Sequence, residues 1–177
     1  MRSHGIRFFI IMRTRNKRLV FILAILGSLL VYLLTRPYLF VCIDTGTLLA
    51  FPTWEKDEIS LRFIHSVQKT PVLENLLVNE SCDGLILQST KYQSFGVGLP
   101  FLADEGEFKQ ADGYFVLNNM NRRFKTIELR TGLGTELTVI YHERQYPIYQ
   151  ELPLGCKVEL KVVPYYRHCL ERLLDHC

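Results

Sequence analysis

The sequence predicts a mostly β protein: an antiparallel β-sandwich or partly open barrel, with an N-terminal transmembrane helix before it and a short C-terminal helix after it. Three observations carry that prediction. Residues 19–35 form an unbroken apolar run without a charge. Beyond Pro37 the chain changes to short alternating runs of apolar and polar residues separated by Gly, Pro, Asn and Asp, the mark of strands that bury one face. After Pro164 the spacing turns helical, with Tyr166, Leu170, Leu173, Leu174 and Cys177 near one face, the pattern of an amphipathic helix that caps the sheet.

The N-terminal segment comes first. Arg2, Arg7, Arg13, Arg15, Lys17 and Arg18 precede the apolar run, and no Asp or Glu accompanies them. The run itself, LVFILAILGSLLVYLLT, spans roughly 25 Å as a helix, a little short of a hydrocarbon core of about 30 Å. Arg18 and Arg36 can snorkel, and Pro37-Tyr38-Leu39-Phe40 adds interfacial apolar surface. Basic residues before the run place the N-terminus in the cytoplasm. The expected organisation is a basic cytoplasmic tail (1–18), a transmembrane helix (19–36) and an extracytoplasmic β domain (37–177) ending in the helix from about 164. A cleaved signal peptide is the rival reading, but Thr35-Arg36-Pro37-Tyr38 is a poor cleavage site. Leu39-Phe40-Val41-Cys42 departs from a lipoprotein box at Val41. The expected location is therefore the cell membrane, crossed once.

Composition narrows the function classes. The 177 residues leave room for one globular domain after a targeting segment. A hydrophobic share of 48% supports a core, and a charged share of 22% argues against disorder. The formal net charge of +3 belongs to the tail before the span, and the remainder is slightly acidic. No nucleic-acid surface is expected. The five cysteines, Cys42, Cys82, Cys156, Cys169 and Cys177, form no CxxC. Their odd number leaves at least one without an intrachain partner.

Within the β domain the alternation predicts strands at Tyr38–Asp44, Thr47–Phe51, Glu58–His65, Val72–Asn79, Leu85–Tyr92, Gly113–Asn118, Lys125–Arg130, Thr135–His142 and Cys156–Val163. Turns fall at Asp44-Thr45-Gly46, Cys82-Asp83-Gly84, Ala111-Asp112-Gly113 and Thr131-Gly132-Leu133-Gly134, where glycine supplies positive φ.

Two stretches stand apart chemically. In the first, Ile59, Leu61, Phe63 and His65 share a strand face, and Val72, Glu74, Leu76 and Val78 share the next. A hairpin pairing Leu61 with Val78 and Phe63 with Leu76 brings His65 opposite Glu74, with Ser66, Lys69 and Thr70 on the loop. A carboxylate on a core face calls for such a partner. The second stretch, Tyr92-Gln93-Ser94-Phe95-Gly96-Val97-Gly98-Leu99-Pro100, has two glycines that let a backbone approach something closely. It lacks the Lys-Ser/Thr of a phosphate loop.

Several chemistries compete for these residues. A binding pocket would take charge from Lys69, amides from Gly96 and Gly98, and walls from Tyr92 and Phe95, and would suit a small solute or anion. Ser66, His65 and Glu74 are the residue types of a hydrolase triad, but adjacent Ser and His point to opposite faces of a strand, and no nucleophile elbow is present. An enzyme using His65 and Glu74 as an acid–base pair is a separate reading. A metal site would need His142 or His168 beside His65 and Glu74. His168, Cys169, His176 and Cys177 do not stack on one helix face. The bland reading is a purely structural envelope protein, in which His65–Glu74 is a satisfied pair and the glycines are turn chemistry. No catalytic residue, metal ligand set or cofactor motif is assigned.

The run FIHSVQKTPVLE, followed about twenty residues later by YQSFGVGLP, resembles the bacterial and archaeal family known as "domain of unknown function 1850". The matching positions are His65, Ser66, Lys69, Thr70, Pro71, Val72 and Glu74, then Tyr92, Ser94, Phe95, Gly96, Gly98, Leu99 and Pro100. Val97 stands where a small residue is expected, and the cysteine-bearing C-terminal helix is a further departure that leaves an interchain disulfide open. The resemblance implies one N-terminal hydrophobic segment and a compact extracytoplasmic domain. It also implies an accessory role beside tripartite ATP-independent periplasmic (TRAP) transporters of the TAXI type, whose subunits become the expected partners. It brings no established activity.

Overall fold

The structure, a computed structural model, describes residues 4–93 and 106–174. The chain divides into two compact units, Met1–Arg36 with Tyr165–Cys177, and Pro37–Pro164.

The first unit holds both helices. α1 runs from His4 to Thr35 over 32 residues, so helix reaches back through the basic segment expected as a separate tail. Arg, Lys and Met there are good helix formers, and no proline interrupts them. The stretch Lys17–Thr35 is long and apolar enough to cross a membrane, and none of its side chains is buried. Ser28 and Thr35 donate to the carbonyls of Ala24 and Val31, at 2.9 and 2.8 Å, so neither hydroxyl needs water inside a bilayer. α2 spans Tyr165–Leu174. The stripe expected to be its packing face is the exposed one, while His168 is buried. The 3.6-residue period identifies a stripe but does not say what covers it.

The second unit contains β1 (Pro37–Ile43), β2 (Gly46–Pro52), β3 (Glu58–Ile64), β4 (Pro71–Val78), β5 (Leu85–Tyr92) and β6 (Glu107–Ala111). It continues with β7 (Tyr114–Asn118), β8 (Arg122–Phe124), β9 (Thr126–Arg130), β10 (Thr138–Tyr141), β11 (Arg144–Tyr146) and β12 (Lys157–Pro164). One sheet has the order β2-β1-β12-β9; the other runs β11-β10-β3-β4-β5-β7-β6, with β8 beside β5. The two sheets do not close into a barrel, so of the two expected architectures the sandwich is the one formed. Leu39, Val41, Val158, Leu160 and Val162 from the first sheet share one core with Ile59, Leu61, Leu76, Leu85 and Val139 from the second. These are the alternate residues of their strands, as inward faces require.

Three strands, β6, β8 and β11, had no signal in the sequence. β8 and β11 are three residues each, too short for alternation to register. The β10–β11 hairpin turns through His142 and Glu143, both at positive φ and neither of them glycine, so no glycine marks its two-residue turn. Asp57 supports this corner. Its Oδ2 accepts from Thr53 Oγ1, Trp54 N and the Tyr141 hydroxyl, each at 2.9 Å.

Gly84, in the predicted turn before β5, is required by a close approach. A Cβ there would lie 2.6 Å from the Phe124 carbonyl oxygen and 3.3 Å from Asn79 Nδ2, just where Leu85 pairs with Phe124. Gly84→Ala is expected to lower stability by about 1–3 kcal/mol, read as a lower urea midpoint with unchanged slope. An unchanged midpoint would mean that β8 yields without strain.

Candidate functional site

The β3–β4 hairpin sets the site. Its observed register pairs Ile59 with Leu76, Leu61 with Glu74 and Phe63 with Val72. The expected pairing of Leu61 with Val78 is thus four residues out, and His65 does not sit opposite Glu74. Its cross-strand neighbour is Thr70, whose carbonyl accepts from His65 N at 2.9 Å. The expected register assumed a wide loop, whereas the chain makes a tight one in which Lys69 adopts φ +54 and its N donates to the His65 carbonyl at 2.9 Å.

The imidazole completes this loop. His65 is only 8% exposed, and its Nδ1 accepts from Val67 N at 3.3 Å and Gln68 N at 3.2 Å. In the neutral ring that leaves the proton on Nε2. The side chain caps the turn much as an Asx side chain would.

His65 and Glu74 nevertheless meet one cleft, of about 390 Å³. One wall is Phe63, Ile64, His65 and Ser66 with Glu74 from β4; the other is Leu129 and Arg130 from β9, then Thr131, Gly132, Thr135 and Leu137. The second wall is stitched in place. Thr131 Oγ1 donates to the Pro153 carbonyl at 2.6 Å and accepts from Cys156 N at 2.9 Å. Gly132 N donates to Thr135 Oγ1 at 3.0 Å, and Ile64 N donates to the Thr135 carbonyl at 2.6 Å. That last bond ties the end of β3 to the opposite rim.

Glu74 is the chemically unusual member. It is half-buried on the inward face of β4, between Leu61 and Thr90. Among the described residues its carboxylate makes no hydrogen bond or ion pair. Burial pushes its carboxyl above the ordinary glutamate range, and the Arg122 guanidinium pulls weakly the other way. Thr90 faces it from β5, with a buried hydroxyl that also has no partner among the described residues. Two polar residues side by side therefore interrupt an otherwise apolar inner face. An unpartnered buried polar group is costly in a fold.

The other sequence-predicted positions scatter. Ser66 is exposed at the cleft mouth. Lys69 is exposed on the loop and does not line the cleft; Thr70 is half-buried, with an enclosed hydroxyl lacking a partner among the described residues. Tyr92 is fully buried in a separate cluster with Val72, Phe63 and Phe115, where burial pushes its phenol up. Ser94, Phe95, Gly96 and Gly98 lie outside the described residues. His142 lies 3.8 Å from Asp57, and among the described residues no group of three or more His, Cys, Asp or Glu side chains is placed to hold a metal. Sequence reading missed the whole β9 wall. Thr131-Gly132-Leu133-Gly134 carries a turn signal, but nothing local says that this turn faces β3.

A family model described as "Domain of unknown function (DUF1850)" matches residues 59–148, which takes in β3 to β11 and all of the cleft. No curated protein and no solved structure matches the chain.

Proposed function

We propose that this chain, which belongs to the Domain of unknown function (DUF1850) family, is a membrane-anchored binding module that holds a small organic ligand beside Glu74. The observation that carries this reading is the Glu74 carboxylate: on the cleft wall, half-buried, and without a hydrogen bond or ion pair among the described residues. Such a group destabilises an empty fold and suits a ligand that brings the missing donor. Phe63, Ile64, Leu129 and Leu137 favour an apolar ligand body. The class that fits is a compact molecule ending in an amine or amide, with Arg130 at the rim for a carboxylate if one is present.

The basic residues before α1's apolar run argue for a cytoplasmic N-terminus and an extracytoplasmic β domain. The partner we infer, from the family resemblance alone, is a TAXI-type TRAP transporter, for which the module would hold or sense a solute. Crosslinked native membranes that yield no transporter subunit would remove that partner and leave the binding site untouched.

The site is tested on the detergent-solubilised full-length chain, melted with small amines, amides and carboxylates. An amine or amide is expected to raise the melting temperature, and Glu74→Gln to weaken the best amine by more than about tenfold. If no compound stabilises the protein, or if amines stabilise the Gln variant equally, the site is misassigned.

A further inference from the structure

α2 turns its apolar residues outward. Tyr166, Leu170, Leu173 and Leu174 are 45%, 53%, 66% and 75% exposed. At about 100° per residue the first three fall on one stripe, with Leu174 at its edge. Arg167 and Glu171 lie off the stripe, joined by an ion pair at 3.1 Å. Leucines this exposed, gathered on one side of a ten-residue helix, are not ordinary surface scatter.

A second observation places the start of this helix beside the end of the apolar run. Tyr165 N donates to the Arg36 carbonyl at 3.2 Å, and α1 and α2 approach one another within one compact unit. Arg36 directly follows the apolar run that ends at Thr35. The first turn of α2 therefore sits at the level where the span leaves the hydrocarbon. Tyr165 and Tyr166 are the residue type that favours that level, and Arg167 and Arg172 can reach lipid phosphates from the polar side.

We propose that α2 is an interfacial helix, lying in the headgroup region of the same bilayer that α1 crosses, with Tyr166, Leu170 and Leu173 turned into the acyl boundary. The inference rests on the anchor reading of α1 and is independent of the cleft.

The test uses the full-length chain in phosphatidylcholine vesicles with brominated acyl chains, which quench tryptophan by contact. The single tryptophan, Trp54, is first changed to phenylalanine. Leu170→Trp and Leu173→Trp then report the stripe, Glu171→Trp the polar side, and Leu26→Trp the span. All four positions are exposed or partly exposed, so folding should tolerate them. Residues 170 and 173 are expected to lose most of their emission in brominated lipid, with a blue shift, while 171 keeps most of its emission. Quenching at 26, with 170 and 173 as bright as 171, overturns the interfacial helix and leaves the anchor standing. No quenching at 26 or at either stripe position removes both. Shielding of 170 from brominated lipid and from aqueous iodide alike would mean that protein covers the stripe, and would also overturn the proposal.

Discussion

Glu74→Gln is expected to raise the melting temperature of the unliganded protein at neutral pH while weakening its binding of amines more than about tenfold. The sign follows from burial. The folded carboxyl sits above the ordinary value of 4.5, so the folded state holds this proton more tightly than the unfolded chain. Below the unfolded value both states are protonated and the group carries no penalty. As pH rises through the gap between the two values, stability is lost; above the folded value the loss is constant. The wild type and the Gln variant should therefore match in acid and separate toward neutrality. Relieving a half-buried carboxylate that lacks a hydrogen bond is worth about 1 kcal/mol, and a domain of this size moves about 4 °C per kcal/mol. Unfolding midpoints of both proteins across the pH series make the check. A Gln variant that is equal or weaker at neutral pH would mean that Glu74 is a satisfied structural residue, and the argument for a ligand would go with it.

That Glu74 lies on an inward face was legible from alternation alone. Its neighbour across the hairpin was not, for a physical reason. Side chains alternate with a period of two, so a slip of four residues leaves every residue of β3 and β4 on its proper face and changes only who meets whom. Alternation therefore favoured no one pairing of Leu61, with Val78 or with Glu74. The loop chemistry chose, through Lys69 in the left-handed region and a histidine ring gathering two amides. The opposite wall was illegible for a different reason. Arg130 and Thr135 are more than sixty residues from His65 in sequence; Arg130 comes from β9 in the other sheet, and Thr135 arrives through the pairing of β10 with β3. Turn residues such as Gly132 and Gly134 announce a change of direction but not its destination. The C-terminal helix shows the same limit. Its stripe is visible in the spacing, but what covers it is not, because a protein core and a bilayer ask for the same residues.

His65→Ala is expected to cost about 1–3 kcal/mol, from two backbone amides that lose their acceptor and a buried ring that leaves a gap. The informative comparison is His65→Asn. An asparagine carbonyl can accept from the same turn amides that Nδ1 now serves, but it cannot shuttle a proton. If the ring's work is to hold the residue 65–70 loop against the cleft, Asn should recover most of the lost stability, and ligand affinity should recover with it. If instead His65 and Glu74 form an acid–base pair for chemistry, Ala and Asn should be equally dead in turnover, however well Asn folds. The measurements needed are the unfolding midpoint of each variant, its affinity for the best amine, and any turnover of that amine. The geometry favours the first outcome: Nδ1 is already engaged by Val67 N and Gln68 N, and the hairpin register sets His65 four positions beyond the one that faces Glu74. Recovery of stability without recovery of affinity would put the imidazole itself, through Nε2, in contact with the ligand, and would make His65 a binding residue in its own right.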